Sequence, residues 1–402
     1  MSRKKIVVIG TGYVGLPAAL MWAKSGMKVV GVDIDRNVVR AINEGTMLLN
    51  ERELQALFAD REVKRNLFAR TTPCEGDVFV IAVPTPVDRL KKVCELATVE
   101  AAIEAICPHL RKGNLVILES TVPPTTCRSF VKPLIEKRTP FKVPADILLA
   151  HCPERILPGD VFKEIVHNDR LIGGIDARST RAATVVYAKF VKGELHRTDD
   201  VTAELVKLME NTYRDVNIAL ANEFAQICEL LGAETRQVID LANKHPRVNI
   251  LSPGIGVGGH CIPVDPWFLK EVAPYNSRLI SMARIVNDEM PGRIAEKIRR
   301  AVADVADPRV VALGATYKKN CEDRRESPAA EIVRILRSDG YRVAHYDPMV
   351  KTMRYSSLGK AAANADLIAV LVCHDSIRRE LARRRGAIEK AMRHPRIMFF
   401  EE

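Results

Sequence analysis

The chain carries nine cysteines but no Cys-x-x-Cys pair. Zinc sites and disulfide frameworks both need paired or regularly spaced cysteines. An odd, scattered set argues against each and for a reducing compartment. No apolar run approaches the roughly eighteen residues that a membrane-crossing helix needs. The basic start, Met1-Ser2-Arg3-Lys4-Lys5, runs straight into a strand and a glycine motif without a small-residue cleavage site, so no secretory signal is expected. A cytoplasmic location is the expectation. No repeat of short period is present. The densest basic run, Arg378 to Arg385, has no interleaved aromatics and reads as a solvated helix face. Neither nucleic acid nor a membrane surface is therefore expected as partner, and the net charge of +11 equally suits ligands carrying diphosphates.

What is present is a soluble composition, 47% hydrophobic and 28% charged, over 402 residues. That length exceeds one core and predicts two or three domains. Lys5–Ile9 reads as a buried strand. Gly10-Thr11-Gly12-Tyr13-Val14-Gly15 follows and opens an apolar helix, Leu16 to Ser25. A second strand, Lys28 to Val32, ends in Asp33. Strand, G-x-G-x-x-G, helix, strand and then an acid is the dinucleotide-binding pattern. The first two glycines permit the turn and the approach of a pyrophosphate, Gly15 lets helix and strand pack, and the helix N-terminus faces the phosphates. Asp33 would bond a ribose hydroxyl and repel a 2′-phosphate, which favours NAD; Arg36 is the one feature nearby that could accept that phosphate.

Strands are expected at Asp77–Val83, Asn114–Glu119 and Ile147–His151. In open parallel sheets ligands lie beyond the carboxyl ends of strands, which puts Thr85, Ser120, Thr121 and Glu154 on the cofactor side. From about Thr198 the apolar period becomes helical for about thirty residues, longer than one small domain requires. Asp199 or Thr202 could cap its start, and Gly232 sits near its stop. It reads as a connector and a dimer core. Lys207 and Asn211 lie one turn apart on one face of it. A second α/β unit follows from Arg309, with strands at Arg309–Gly314, Arg342–Tyr346 and Leu367–Leu371. Its first loop, Ala315 to Pro328, is crowded with charge but lacks G-x-G-x-x-G, so its ligand need not be a dinucleotide. The expected architecture is α/β: a first Rossmann domain over 1–197, a helical dimerisation domain over 198–305, and a Rossmann-like domain over 306–402.

Between the helical segments lies Pro253-Gly254-Ile255-Gly256-Val257-Gly258-Gly259-His260-Cys261, with Asp265 four residues further on. Four glycines free the backbone to approach a ligand and to present one cysteine at a bend. A thiol in such a loop becomes a nucleophile when nearby cations favour the thiolate. A tight surface turn with an incidental cysteine is the alternative on the loop alone.

These segments together resemble the nucleotide-sugar 6-dehydrogenases, which include UDP-glucose and UDP-N-acetylmannosamine dehydrogenases. The resemblance spans essentially the whole chain and adds Val83-Pro84-Thr85-Pro86, Ser120-Thr121-Val122-Pro123-Pro124, Pro153-Glu154-Arg155 and Asp323-Arg324-Arg325-Glu326-Ser327-Pro328 to the two glycine motifs. Pro153 to Gly159 and His245-Pro246-Arg247-Val248-Asn249-Ile250 resemble the UDP-N-acetylmannosamine branch. Two places depart from the pattern: the basic segment Val87 to Leu96, and the end Ile397 to Glu402, which stops where relatives continue.

The resemblance implies a two-step oxidation of a sugar C6 alcohol to a carboxylate with two NAD. Cys261 forms a thiohemiacetal and then a thioester, and water releases the acid. Lys207 and Asn211 stabilise the oxyanion. Glu154 or Asp265 activates water held by Thr121. The sugar nucleotide is met by Glu154, Arg155, Lys207, Asn211, His245, Arg247, Asn249, Gly258 and Lys318. NAD is met by Gly10, Gly12, Tyr13, Val14, Gly15, Asp33, Arg36, Thr85, Thr121 and Arg325. No metal is implied, and Arg247 reaches a neighbouring subunit of a homodimer. The competing readings are UDP-glucose or UDP-N-acetylglucosamine as substrate, a two-electron dehydrogenase that needs no loop cysteine, a cofactor-binding protein without catalysis, and a nucleic-acid binder.

Overall fold

The computed structural model describes residues 4–46, 52–88, 90–156 and 161–400. Arg89, Leu157-Pro158-Gly159 and Glu401-Glu402, each part of a motif or departure named above, lie outside the described residues. The chain divides into two compact units, Met1–Glu210 with Trp267–Ala273, and Asn211–Pro266 with Pro274–Glu402.

The first unit is built on eight strands: β1 (Lys5–Ile9), β2 (Lys28–Val32), β3 (Leu67–Arg70), β4 (Val78–Ile81), β5 (Leu115–Leu118), β6 (Leu148–His151), β7 (Arg170–Gly174) and β8 (Leu195–Asp199). Their order in the sheet is β3-β2-β1-β4-β5-β6-β7-β8. Chain order reverses beside β1, which opens a crevice at the carboxyl ends of β1 and β4. Alternation of side chains explains why both faces are covered. Ile6 and Val8 of β1 join one core with Trp22, Tyr187 and Phe190, while Val7 and Ile9 join the other with Ile103, Val131 and Ile135. β4 and β5 are apolar and buried at every position, as central parallel strands must be.

The sheet is not wholly parallel. β7 runs antiparallel to β6, and β8 then pairs parallel to β7. The sequence reading did not anticipate β3, β7 or β8, because each is short and carries polar residues or glycines where an apolar run would have announced a strand.

The long helix runs Asp200–Leu231. Asp199 caps it, accepting from the Thr202 N–H at 3.1 Å and the Thr202 hydroxyl at 2.6 Å. Gly232 stops it at φ +68°, a left-handed conformation that glycine adopts without steric cost. Asp200 to Glu210 belong to the first unit and the remaining turns to the second.

The second unit pairs helices with a four-stranded parallel sheet, β9 (Arg309–Leu313), β10 (Arg342–Tyr346), β11 (Leu367–Val370) and β12 (Arg396–Phe399), in the order β10-β9-β11-β12. The segment Ile397 to Phe399 thus completes a strand against β11. The lower half of the long helix packs on helix Arg278–Ala301 through a buried polar network. Arg284 Nη1 donates to Asp215 Oδ1 at 2.5 Å, and Asn287 Nδ2 donates to Asp215 Oδ1 at 2.9 Å. The basic run of Arg378 to Arg385 lies on helix Asp375–Ala391 with its arginines exposed.

Candidate active site

At the end of β1 the chain turns through Gly10 at φ +88°; a Cβ there would lie 2.6 Å from the Ala82 carbonyl oxygen. At Gly15 a Cβ would meet the Gly10 oxygen at 2.0 Å, so no larger residue fits. Gly12 has nothing within 4 Å of the same position, which leaves room for a ligand against bare backbone. Helix Gly15–Lys24 starts at Val14 with no side-chain cap, and its Leu16 N–H donates back to the Gly12 carbonyl at 3.1 Å. Tyr13 is 40% exposed beside Gly12. Asp33 ends β2. Its Oδ2 accepts from the Thr11 N–H and hydroxyl, both at 3.0 Å, and its Oδ1 accepts from the Asp35 N–H at 3.0 Å. These donors fix the orientation of a half-exposed carboxylate at the crevice mouth. Arg36 opens helix Arg36–Glu44 and is exposed. A phosphate-accepting turn with an adjacent ribose-bonding acid fits a dinucleotide.

At the neighbouring strand ends the Thr85 hydroxyl donates to the Thr121 carbonyl at 2.6 Å, and the Ser120 hydroxyl to the Val83 carbonyl at 2.7 Å. These bonds tie the loops after β4 and β5 together. After β6, Glu154 accepts from the Arg155 N–H at 2.7 Å and from Arg170. Arg170, on β7, is buried between Glu154 and Glu119 and lies 4.3 Å over the Tyr187 ring. Burial pushes Glu119 up to about 7, against the pull of Arg170. Arg155 pairs with Glu210 of the long helix at 2.7 Å. Lys207 is half-buried one turn earlier, close enough to His151 for its charge to join burial in pushing that imidazole down to about 3.

Cys127, His151 and Glu204 also meet in this unit, with ligating atoms within 4.8 Å of one another. Both oxygens of Glu204 are occupied as caps, accepting from the N–H groups of Thr125 at 2.6 Å and Cys127 at 2.9 Å. The basic departure after Pro86 folds back as a bridge between Val87 and Cys94. Its Lys92 sits 5.0 Å over the Trp267 ring, and the Cys94 N–H bonds Glu271.

In the second unit the cysteine loop is anchored at its start by Asn222. Asn222 Oδ1 accepts from the Gly254 N–H at 2.9 Å, and Asn222 Nδ2 donates to Asn287 Oδ1 at 3.0 Å. At its end the Cys261 carbonyl accepts from the N–H groups of Val264 at 3.0 Å and Asp265 at 2.8 Å, the turn that starts helix Asp265–Val272. Cys261 is partly exposed, and its Sγ lies 3.2 Å from His260 Nδ1. Asp265 is buried and accepts from Asn211 Nδ2 at 2.5 Å. A cysteine, a carboxylate and an amide from the long helix are thus assembled from the predicted set.

The loop after β9 packs on the same glycines. A Cβ on Gly258 would lie 2.6 Å from the Glu326 oxygen and 2.7 Å from Tyr317 Cβ. Gly259, at φ +88°, faces the Tyr317 ring, and its N–H donates to the Arg325 carbonyl at 3.1 Å. Lys318 lies 5.8 Å over the Tyr317 ring. Tyr317 therefore joins the Cys261 and Lys318 loops, a role no motif announced. The Arg325 guanidinium bonds Asp323, whose carboxyl is held low by those bonds in spite of its burial. His245, Arg247 and Asn249 are exposed on a turn closed by Asn243, which bonds the Ile250 oxygen and N–H at 3.0 and 2.7 Å. Within that turn His245 Nδ1 accepts from the Arg247 N–H at 3.4 Å.

Residues 4–191 match the NAD-binding domain of the UDP-glucose/GDP-mannose dehydrogenase family, 201–289 its central domain and 311–399 its UDP-binding domain. The chain belongs to this family. It is an NAD-dependent oxidoreductase. UDP-N-acetyl-D-mannosamine dehydrogenase of Methanocaldococcus jannaschii is 48% identical over 377 residues, 92% of this chain and 86% of that protein. The enzyme of that name from Campylobacter jejuni is 43% identical over 387 residues, 92% of this chain and 95% of that one. Among solved structures, the UDP-D-ManNAc dehydrogenase of Pyrococcus horikoshii aligns with a TM-score of 0.93 at 39% identity, covering 99% of this chain and 95% of its own. Among the described residues no helix is long and apolar enough to cross a membrane.

Proposed function

We propose that this family member oxidises C6 of UDP-N-acetyl-D-mannosamine to the uronate in two hydride transfers, through a thioester on Cys261. The observation that carries the reading is the assembly of a partly exposed cysteine, the Asn211–Asp265 pair and the Lys318 loop around one set of glycines. The names borne by the relatives, and the segment His245 to Ile250, support the sugar.

Bound NAD supplies the hydride acceptor for each oxidation; Gly10, Gly12 and the helix N-terminus would hold its pyrophosphate and Asp33 a ribose. His260 Nδ1, 3.2 Å from the sulfur, can take the Cys261 proton. The thiolate then bonds to the C6 carbonyl carbon of the aldehyde, and the oxygen gains a proton to give the thiohemiacetal. The Asn211 amide, oriented by Asp265, and the Lys207 ammonium meet the negative charge that develops on that oxygen. After the second oxidation, water adds to the thioester carbon. The C–S bond breaks, and the sulfur leaves as thiolate while the acid is released. Glu154 or Asp265 takes the proton of that water. Lys318 holds the diphosphate.

We read the protein as a homodimer. On the second unit Tyr213, Leu220, Ile227, Leu230, Leu241 and Leu279 are exposed, an apolar surface that a monomer would leave wet. His245, Arg247 and Asn249 project from the same unit and would reach a neighbouring subunit's sugar.

The test is the purified protein with NAD and a panel of UDP-hexoses. UDP-N-acetylmannosamine should yield two NADH and one uronate per sugar; one NADH and no acid would refute the four-electron reading. A variant blocked only in thioester hydrolysis should release two NADH per site in a burst and then stall, which separates Glu154→Gln from Asp265→Asn.

A further inference from the structure

The β9–β10 half of the second unit repeats, bond for bond, the turn that precedes Asp33 in the first. Gly10 and Gly314 both have φ +88°. The Gly10 N–H donates to the Val32 carbonyl at 2.8 Å, and the Gly314 N–H to the Tyr346 carbonyl at 2.9 Å. The next N–H donates to the acid that ends the second strand: Thr11 to Asp33 Oδ2 at 3.0 Å, Ala315 to Asp347 Oδ2 at 2.6 Å. The N–H two residues beyond each acid closes on its Oδ1, Asp35 at 3.0 Å and Met349 at 2.8 Å.

The surroundings of the two acids differ. Asp33 is half-exposed, whereas Asp347 is 2% exposed and covered by His374, which is 0% exposed. His374 Nδ1 accepts from the Asn320 N–H at 2.8 Å. That nitrogen must therefore be the unprotonated one, and Nε2 carries the hydrogen. Nε2 donates to Asp347 Oδ2 at 2.9 Å. A ribose cannot reach this carboxylate.

What the imidazole holds is the loop that carries Lys318. Asn320 stands at φ +59°, and its side chain makes a two-point clamp with Asp375: Nδ2 to Oδ2 at 2.8 Å, and the Asp375 N–H to Oδ1 at 3.0 Å. The Lys318 carbonyl accepts from the Thr316 hydroxyl at 2.9 Å and the Cys321 thiol at 3.2 Å. The loop is fixed on both sides of Lys318 while the lysine side chain itself is left to reach outward over Tyr317.

We propose that Asp347, His374 and Asn320 form a latch that sets the position of Lys318 for the diphosphate, with the ribose-type acid of this unit turned into the latch's fixed end. His374 and Asn320 are positioning residues; they act through Lys318. The proposal rests on the reading that Lys318 binds the diphosphate of the sugar nucleotide.

The test uses the full-length protein, with UDP binding followed by calorimetry and NAD binding as control. Lys318→Ala should weaken UDP at least tenfold. Asn320→Gly keeps the positive φ and the N–H that His374 accepts, removes the side-chain clamp to Asp375 and frees the backbone there; it should weaken UDP several-fold and leave NAD affinity unchanged. His374→Gln keeps a donor for Asp347 but loses the acceptor for the Asn320 N–H, and should behave like Asn320→Gly. His374→Asn keeps an acceptor on the Nδ1 side, and should bind UDP more tightly than His374→Gln even if it is the less stable variant. If Lys318→Ala weakens UDP but Asn320→Gly and His374→Gln do not, the latch is refuted while the Lys318 reading survives. If Lys318→Ala binds UDP as the parent does, the reading beneath the latch falls and takes it along. Should the His374 variants fail to fold, Asn320→Gly decides.

Discussion

Asn211 Nδ2 lies 2.5 Å from Asp265 Oδ2, which joins the long helix to the turn that begins at Cys261. The carboxylate is 2% exposed, so this bond to the amide is made out of contact with water. An amide fixed by a charged acceptor keeps its other N–H aimed in one direction, which is what stabilising a developing oxyanion requires.

Asp265→Asn removes that charge while keeping the shape. It should lower kcat by about 10² or more, the usual cost of disturbing one oxyanion donor, and change the KM for the sugar nucleotide little. Steady-state kinetics with the sugar and NAD varied separately check this. An equal rise in KM with kcat intact would assign the pair to ground-state binding.

Asp33→Asn should raise the KM for NAD about tenfold, the loss of one charge-assisted hydrogen bond to a ribose. Thr11 donates to Oδ2 and Asp35 to Oδ1 from the backbone, so the single amide oxygen keeps one of these two bonds and gives up the other. The sugar-nucleotide KM should stay unchanged. Unaltered NAD kinetics would show that the ribose is held by other groups.

Arg170→Met places a similar volume between Glu119 and Glu154 but no charge. Glu119 and Glu154 would lose their shared guanidinium, a loss of about 3–5 kcal/mol for breaking a buried ion pair from one side, with the Tyr187 hydroxyl still donating to Glu119 at 3.0 Å. Thermal unfolding should fall by several degrees, and Arg170→Met combined with Glu119→Gln should recover part of it. A melting temperature equal to that of the parent would mean that water already reaches this cluster.

Glu204 sets a pH dependence. Burial raises it from 4.5 to about 7, against the N–H groups of Cys127 and Thr125 that favour its charge. Between those values the folded chain binds a proton that the unfolded chain has released. This residue's contribution is therefore greatest below about pH 4.5, declines as pH rises, and is flat above about pH 7, a change on the order of 3 kcal/mol. Glu204→Gln should remove this slope and leave a constant offset from the lost acceptor. Denaturant unfolding of both proteins between pH 5 and 8 measures the difference; parallel curves would contradict the assignment.

The glycine turn with its acid was legible because its parts are close in sequence. Gly10 to Gly15 and Asp33 lie within one strand–helix–strand unit, and the physics of the turn dictates their spacing. The long helix was legible for a similar reason: one period holds over its whole length, with Asp199 and Gly232 as its ends. The antiparallel turn into β7 was not, because Arg170 and two glycines give it no apolar alternation. Tyr317, Asn222 and the Asp347–His374 pair were not either. Each acts across a long gap in the chain, on a backbone group that any residue would present, so no local pattern marks them.

The central claim is that Cys261 carries the acyl intermediate. Cys261→Ser keeps a hydroxyl of similar shape but a far weaker nucleophile. The decisive measurement is uronate formed from UDP-N-acetylmannosamine and NAD by this variant, alongside calorimetric binding of both ligands. The account predicts intact binding of each and no acid above background. Uronate produced at the parent's rate would contradict it.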